Sequence, residues 1–241
     1  MPAWRLRNAL RRLGSGLPPR GEVLHPGVPT DLFHAHLALY RFAGRFADRG
    51  RVLDLGCGTG YGSAELLAAG AAEVLGVDPR RLSVLYAQRH FGSPAARFRV
   101  GRAERLGGEL GKFDAVVAVN VLPQVADVEA ALCRISALLA PGGRLVASLP
   151  PLLDGQSLSL YRVNPRHRTA LLLWDWLDLL RGHFDSFHLF RQLAPAGRVP
   201  ALGSPRPATV RAEDYVFEEL ALSDLDEVGS LAAVVVCERG G

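Results

Sequence analysis

The chain has 241 residues, of which 49% are hydrophobic and 22% are charged, and its formal net charge is +4. This length fits one large α/β domain better than two separate domains, and the apolar content excludes a globally disordered chain. Lys112 is the only lysine, so arginine supplies the positive charge, which we attribute to coding bias rather than to a nucleic-acid surface. Three well-separated cysteines without a C-x-x-C pair predict neither a disulfide framework nor a zinc site, and we expect no metal.

The N-terminal residues 1–20 form a basic arm in which Trp4, Leu6 and Leu10 are interspersed with arginines. This pattern fits either a short amphipathic helix that touches an anionic membrane weakly or a frayed, solvated end. No apolar signal core follows the arm, and no run of the sequence approaches the roughly eighteen apolar residues of a membrane span. We therefore expect a cytoplasmic protein.

A helix is predicted from about Pro29 to Ala47, because Thr30 or Asp31 can cap its N-terminus and a mostly helical apolar pattern follows. The helix contains Tyr40, for which the pattern favours a place in the core beside any pocket that the next segment forms.

The most informative stretch, residues 51–63, reads RVLDLGCGTGYGS. An apolar strand is followed by glycine at every second position: Gly56, Gly58, Gly60 and Gly62. A strand, a glycine loop and a helix together present backbone N–H groups to a ligand in α/β sheets. Asp54 interrupts the apolar strand, and a buried carboxylate is costly there unless a cation or hydrogen-bond donors meet it.

A second acid ends the next apolar stretch, which runs from Glu73 to Asp78. An acid at the tip of the second strand can accept two hydrogen bonds from a ribose diol. The glycine spacing, however, is G-x-G-x-G and differs from the G-x-G-x-x-G of the dinucleotide fingerprint.

The remaining chain alternates between short strands and helices, which indicates right-handed crossovers and a parallel sheet. Turn-rich excursions are expected over 152–168 and 194–209. We predict strands over 51–56, 74–78, 97–101, 113–119, 144–149, 184–193 and 231–237, and helices over 61–69, 80–91, 127–139 and 169–181.

Four stretches resemble the motifs of one family. Asp54–Gly60 followed by Val74–Asp78 looks like the first two motifs of class I S-adenosylmethionine-dependent methyltransferases. Residues 113–120 resemble the fourth strand of that family, and residues 139–146 resemble the turn into its fifth. The resemblance implies a Rossmann-like, doubly wound α/β sheet of seven strands, mostly parallel, whose antiparallel last strand inserts between the fifth and sixth.

The resemblance further implies a single methyltransferase domain over 21–241, with its core at 45–150 and acceptor-side elements at 21–44 and 150–220. The implied cofactor is S-adenosyl-L-methionine, which becomes S-adenosyl-L-homocysteine. Asp54 would meet the ammonium, Asp78 the ribose hydroxyls, and the backbone after Gly60 the carboxylate. The complete set expected at the cofactor is Tyr40, Asp54, Gly56, Cys57, Gly58, Gly60, Tyr61, Asp78, Pro79, Arg102, Ala103 and Asn120.

Two positions depart from the family's pattern. Arg102 stands where an acid commonly accepts a hydrogen bond from the adenine amino group, and arginine has no acceptor. Arg102 would instead stack on the adenine, leaving the Ala103 N–H or Glu104 to bond its edge. Gln124 stands where glycan-type relatives carry Glu-His, and it cannot act as a general base.

His167 and His36 are the candidate catalytic bases, because a neutral histidine can accept the proton of a hydroxyl as a methyl group transfers. Residues 164–167, Asn-Pro-Arg-His, resemble an Asn-Pro-x-His element of bacterial methyltransferases found with cell-surface glycan genes. A structural role for either histidine stays open, and so does a transfer that needs only positioning.

The resulting hypothesis is a methyltransferase that acts on an oxygen of a small molecule or of a bacterial glycan or lipid-linked saccharide. Arg102 and Gln124 motivate one alternative, a non-catalytic S-adenosylmethionine-binding partner or regulator. The other alternative is an RNA methyltransferase, although the sequence lacks the Asn-Pro-Pro-Tyr or Asp-Pro-Pro-Tyr element of amino-group nucleobase methylation. The main hypothesis expects no nucleic-acid partner and leaves the oligomeric state open.

Overall fold

The structure is a computed structural model that describes residue 24 and residues 29–195, 208–227 and 230–240. The basic arm and its predicted membrane contact lie outside the described residues. Six helices are described: α1 Asp31–Gly44, α2 Tyr61–Ala68, α3 Arg81–Phe91, α4 Val128–Leu138, α5 Gly155–Arg162 and α6 Leu173–Arg181. Eight strands are described: β1 Arg51–Leu55, β2 Glu73–Asp78, β3 Ala96–Val100, β4 Phe113–Ala118, β5 Leu139–Leu149, β6 Ser186–Leu193, β7 Val216–Leu220 and β8 Ala232–Glu238.

The eight strands form one sheet in the order β3-β2-β1-β4-β5-β8-β6-β7. The first five strands pair in parallel, so their carboxyl ends lie at one edge of the sheet. The last strand, β8, pairs antiparallel with both β5 and β6. The predicted Rossmann-like sheet is therefore confirmed, together with the insertion of the last strand between the fifth and sixth.

The predicted count of seven strands is wrong, because β7 adds an eighth at the edge of the sheet beside β6. Its sequence, VFEEL, alternates poorly, and its pairing depends on contacts across the chain. Phe217 stacks on Phe42 of α1 with ring centroids 4.5 Å apart, and Glu218 pairs with Arg191 of β6 at 2.8 Å. Neither contact is visible in the local pattern.

Two helical predictions also change. Residues 155–162 form α5, where the sequence indicated only turns, because none of its side chains is buried to create an apolar period. The predicted helix over 169–181 begins only at Leu173, where α6 buries Trp176 and Leu177. Within the described part of the chain, no helix combines the length and apolarity needed to cross a membrane.

Two apolar cores lie on opposite faces of the sheet, which explains why β4 is apolar without alternation. Val116 belongs to the core that α4 and α6 cover, whereas its neighbour Val117 belongs to the core beneath α1 and α2. Strands covered on both faces lose the polar face that an exposed sheet would show.

Helix α1 is fastened at its start to the segment that precedes β7. Thr30 is the N-cap, with its Oγ1 accepting from the Phe33 N–H. Asp31 is 2% exposed, and its carboxylate accepts from the Thr209 and Val210 N–H groups at 2.6 and 3.1 Å. The two candidate caps thus have separate roles, one within the helix and one across the fold.

The other contact of α1 is with α2, where the Tyr40 ring lies on the bare backbone of Gly62. A Cβ at Gly62 would stand 2.1 Å from Cζ of Tyr40. Glycine is therefore required there by close approach rather than by an unusual backbone angle.

We expect Gly62→Ala to lower the free energy of unfolding by about 1–3 kcal/mol, because Tyr40 must move out of a packed site. Urea denaturation measures the change. Gly155→Ala in α5 is the control, since its Cβ would meet no atom within 4 Å and it should be neutral or slightly stabilising. Equal effects of the two substitutions would contradict the packing account.

Candidate functional site

The loop between β1 and α2 wraps around the end of β2 with its backbone. The N–H groups of Gly56 and Cys57 both donate to the Val77 carbonyl, at 2.7 and 3.1 Å. Gly56, Gly58 and Gly60 have φ of 73°, 53° and 89°, a region that L side chains rarely adopt. A Cβ at Gly56 would also stand 2.3 Å from the Val121 side chain. These three positions therefore favour glycine, whereas Cys57 and Thr59 between them carry buried side chains.

Asp54 lies beneath this loop and is completely buried. The Tyr40 hydroxyl donates to its Oδ1 at 3.0 Å, and the Ser63 hydroxyl donates to its Oδ2 at 2.5 Å. Burial raises the pKa of Asp54 to about 6, although both hydrogen bonds act in the opposite direction. A carboxylate held in this way suits a cation that would complete its neutralisation.

His36 and Tyr61 form an aromatic group beside Asp54. The Tyr61 hydroxyl lies 2.7 Å from Nδ1 of His36, and both rings contact Tyr40, with centroids 5.6 to 5.9 Å apart. Burial lowers the pKa of His36 to about 4, so its imidazole is neutral at neutral pH. Three predicted residues, Tyr40, Tyr61 and His36, are thus brought together at the loop.

Asp78 is 3% exposed at the end of β2, where its carboxylate reaches back to the glycine loop. Its Oδ2 accepts from the Gly58 N–H at 3.1 Å, and its Oδ1 accepts from the Arg80 N–H at 2.8 Å. The Arg80 guanidinium also donates to Oδ1, at 3.2 Å. Asp78 thereby holds the loop in place, and Pro79 follows it on the exposed turn.

Asn120 occupies the turn that follows β4 and has a left-handed φ of 55°. Its N–H donates to Oγ of Ser148 at 2.8 Å, and the Ser148 hydroxyl lies 3.2 Å from its Oδ1. Gln124 donates to its carbonyl at 2.6 Å. Gln124, which cannot serve as a base, therefore holds a strained turn at the carboxyl edge of the sheet.

The turn after β3 contains the predicted adenine-side residues. Ala103 is buried, whereas Arg102 is exposed and forms no ion pair with any described residue. The Glu104 carboxylate accepts from the Ala126 N–H at 3.3 Å and so points toward the turn after β4. Glu104 is therefore held by the turn after β4, and Arg102 lies at the surface.

His167 lies apart from His36, in the segment between β5 and α6. Its ring stacks on Tyr161 with centroids 3.6 Å apart, and its Nδ1–H donates to the Tyr161 carbonyl at 2.9 Å. Nδ2 of Asn164 lies 3.4 Å from its Nε2. The histidine of the Asn-Pro-Arg-His element is therefore engaged within its own turn.

Sequence analysis missed Ser63, Arg80 and Ser148, which hold the acids and the Asn120 turn, and it gave no role to Thr59. Thr59 is fully buried in the glycine loop, and its Oγ1 has no hydrogen-bond partner among the described residues. The role of Ser63 could have been predicted from its position, because it lies just after the glycine loop and can face the strand that precedes the loop. No group of histidine, cysteine and acidic residues in the described ranges could hold a metal ion.

Buried Cys57 packs in the loop, and burial raises its pKa well above the ordinary value of a thiol. The thiol is therefore neutral, which agrees with a packing role for this predicted cofactor neighbour.

Comparisons with known proteins agree with the geometry of the site. A family described as "Methyltransferase domain" matches residues 52–143. The ubiquinone biosynthesis O-methyltransferase of Azorhizobium caulinodans is 39% identical over 140 residues, which are 54% of this chain and 55% of that protein. A probable S-adenosylmethionine-dependent methyltransferase of Mycolicibacterium smegmatis is 31% identical over 171 residues, 70% of this chain and 65% of that protein.

One solved structure, a Thermotoga maritima S-adenosylmethionine-dependent methyltransferase described as a possible histamine N-methyltransferase, superposes with a TM-score of 0.61. It is 20% identical and the match covers 88% of this chain and 91% of that one, so it supports the fold alone. This chain therefore spans about half the length of the Azorhizobium enzyme. The residues that match the methyltransferase-domain family, 52–143, contain the glycine loop and both acids.

The pKa of Asp54 predicts an unusual pH dependence of stability. Because the folded pKa of about 6 exceeds the ordinary 3.8, the folded state binds the extra proton, and this group's contribution falls as pH rises through that window. We expect the free energy of unfolding of wild type, relative to that of Asp54→Asn, to fall by up to about 3 kcal/mol as the pH rises from 4 to 7.

Urea denaturation at several pH values measures this difference. His36 contributes with the opposite sign, because its lowered pKa makes stability fall as pH drops from 6.5 toward 4, but that contribution is common to both proteins. Parallel stability curves for the two proteins would contradict the raised pKa of Asp54.

Proposed function

We propose that this chain, a member of the class I S-adenosylmethionine-dependent methyltransferase family, binds S-adenosyl-L-methionine at the glycine loop and transfers its methyl group to an oxygen of a small molecule. The observation that carries the proposal is the pair of buried carboxylates, Asp54 and Asp78, on either side of a loop in which every second residue is a glycine with positive φ.

The donor set fits each part of this cofactor. Asp54 is buried and forms no ion pair with any described residue, so it suits the ammonium group. The unpartnered Thr59 hydroxyl and the N-terminus of α2, where Gly60 provides no side-chain cap, suit the carboxylate. Asp78 suits the ribose hydroxyls, for which the Arg80 guanidinium would give up part of its contact. The exposed Arg102 and the Ala103 N–H suit the adenine.

The bound cofactor supplies an electrophilic methyl group on a sulfonium, and the chain's contribution is position and charge. Tyr40 and Ser63 fix the Asp54 oxygens, so the amino acid end of the ligand is held at one place. Tyr61 and neutral His36 stand at the same place, where they exclude water from the reacting centre. Transfer to a hydroxyl would leave the acceptor's proton to be taken by a base near the acceptor oxygen.

We infer that His36 is the better placed of the two candidate bases, because it lies with Tyr40 and Tyr61 at the loop. Its low pKa makes it a weak base, so positioning contributes more than proton removal. The ring nitrogens of His167 are already engaged by Tyr161 and Asn164, which favours a bracing role.

The preference for oxygen on a small molecule is supported by relatives named ubiquinone biosynthesis O-methyltransferase. A glycan or lipid-linked saccharide is the second acceptor class, supported only by the Asn-Pro-Arg-His element. A cytoplasmic location and a single domain over 21–241 are part of the same proposal.

The deciding experiment measures formation of S-adenosylhomocysteine from S-adenosylmethionine with three acceptor panels: phenolic and other small hydroxyl compounds, saccharides, and RNA. Turnover restricted to the first panel is the expected result. Turnover on RNA alone would overturn the acceptor class, and cofactor binding without turnover on any panel would favour a regulatory role.

Calorimetric titration of the Asp78→Asn variant tests the cofactor site separately. Loss of the charge-assisted hydrogen bonds to ribose should weaken S-adenosylmethionine binding by about 10- to 100-fold. The control is Asp178→Asn. Asp178 is an exposed acid of α6 that pairs with Arg181, far along the chain from the glycine loop, so its loss should leave binding unchanged. Equal affinities of the two variants would exclude Asp78 from the site.

A further inference from the structure

The chain between β5 and α6 forms an excursion over residues 153–172 whose base is firmly anchored. The Leu173 N–H donates to the Leu152 carbonyl at 2.7 Å and closes the base. Thr169 donates through its N–H to Pro123 and through Oγ1 to Val125, at 3.0 and 2.7 Å. Pro123 and Val125 follow β4 and lie just after Asn120 in the sequence, so the 153–172 excursion stands at the carboxyl edge of the sheet.

The outer part of the excursion exposes aliphatic side chains. Helix α5 buries none of its residues. Leu160 is 70% exposed and Val163, three residues later, is 79% exposed, the highest values among the large hydrophobic side chains described. Val163 is the C-cap of α5 and keeps helical backbone angles, so the two side chains, three residues apart, share one face and form an apolar patch.

The same excursion carries an excess of positive charge. It contains Arg162, Arg166 and Arg168, and its single acidic residue is Asp154, the N-cap of α5. All three arginines are exposed, and in the described parts of the chain none of them forms an ion pair. Among the described residues, Arg162 donates to the Ala170 carbonyl alone, at 3.4 Å.

Internal contacts hold the shape of the excursion. The His167 ring lies flat on Tyr161, with an interplanar angle of 10°, and bonds its carbonyl. Asp154 caps α5 by accepting from the Gln156 and Ser157 N–H groups. The apolar patch of Leu160 and Val163 and the arginines therefore lie on an ordered surface, which lowers the conformational entropy lost on binding a partner.

We propose that the 153–172 excursion docks on the surface of an anionic lipid bilayer, with Leu160 and Val163 among the acyl chains and the arginines on the phosphates. RNA fits less well, because non-specific RNA surfaces stack bases on aromatic rings, and the two aromatic rings of the excursion, Tyr161 and His167, are stacked on each other. A further consequence, which rests on the proposed function, is that the methyl acceptor comes from the membrane.

The test is co-sedimentation of the full chain with phosphatidylcholine vesicles, with and without phosphatidylglycerol. We expect binding only to the anionic vesicles, decreasing as salt is raised. The double variant Leu160→Ser, Val163→Ser should weaken binding at least tenfold, and Arg166→Gln with Arg168→Gln should do the same. The control is Leu85→Ser, which removes an exposed helical leucine from α3 and should bind like wild type.

Equal vesicle binding by wild type and the Leu160–Val163 variant would overturn the proposal, because the apolar patch would then contribute nothing to binding. Retention of a single-stranded RNA probe in a gel, sensitive to the arginine changes but not to the leucine and valine changes, would identify a polyanion surface instead. Titration with S-adenosylmethionine should give the same affinity for all of these variants, so failure of docking is separable from failure of the proposed function.

Discussion

The buried carboxylate of Asp54 connects three elements that the sequence separates. It belongs to β1, and its two oxygens accept hydrogen bonds from Tyr40 of α1 and Ser63 of α2. The Tyr40 ring can reach Asp54 only because Gly62 leaves its path open. The position of the covering helix, the start of α2 and the charge beneath the glycine loop therefore depend on one another.

This arrangement carries an electrostatic cost that packing alone does not explain. Burial raises the pKa of Asp54 to about 6, although two hydroxyl donors favour its charged form. A protein that needed only a core contact there would be served better by an apolar side chain. Costs of this kind are concentrated at functional sites, where a ligand removes them. The ammonium of an amino acid ligand is a charge of the right sign.

The sequence alone predicted the central strands of the sheet correctly, but it did not predict the elements at the periphery of the fold. Parallel pairing of β1 to β5, the glycine loop and the two acids follow from short-range patterns that burial on both faces of the sheet imposes. Strand β7 and helix α5 were missed because each lacks a local period. One is held by side chains from α1 and β6, and the other buries no residue.

The hydrogen-bond partners of individual side chains could not be predicted from the sequence either. Asp31 looked like a helix cap, yet its carboxylate binds Thr209, 178 residues later in the chain. Gln124 looked like a lost base, yet it bonds the carbonyl of a left-handed Asn120. Residue type and spacing identified where chemistry could occur, whereas contacts between distant segments decided what each side chain holds.

Proton release on cofactor binding tests most directly whether Asp54 binds the cationic group of the ligand. A cation beside Asp54 must lower its pKa, so S-adenosylmethionine should release up to roughly half a proton per site at pH 6. Calorimetric titration in buffers of different ionisation enthalpy measures that number. The account predicts release by wild type and none by Asp54→Asn, and binding by wild type without release, or with proton uptake, would contradict it.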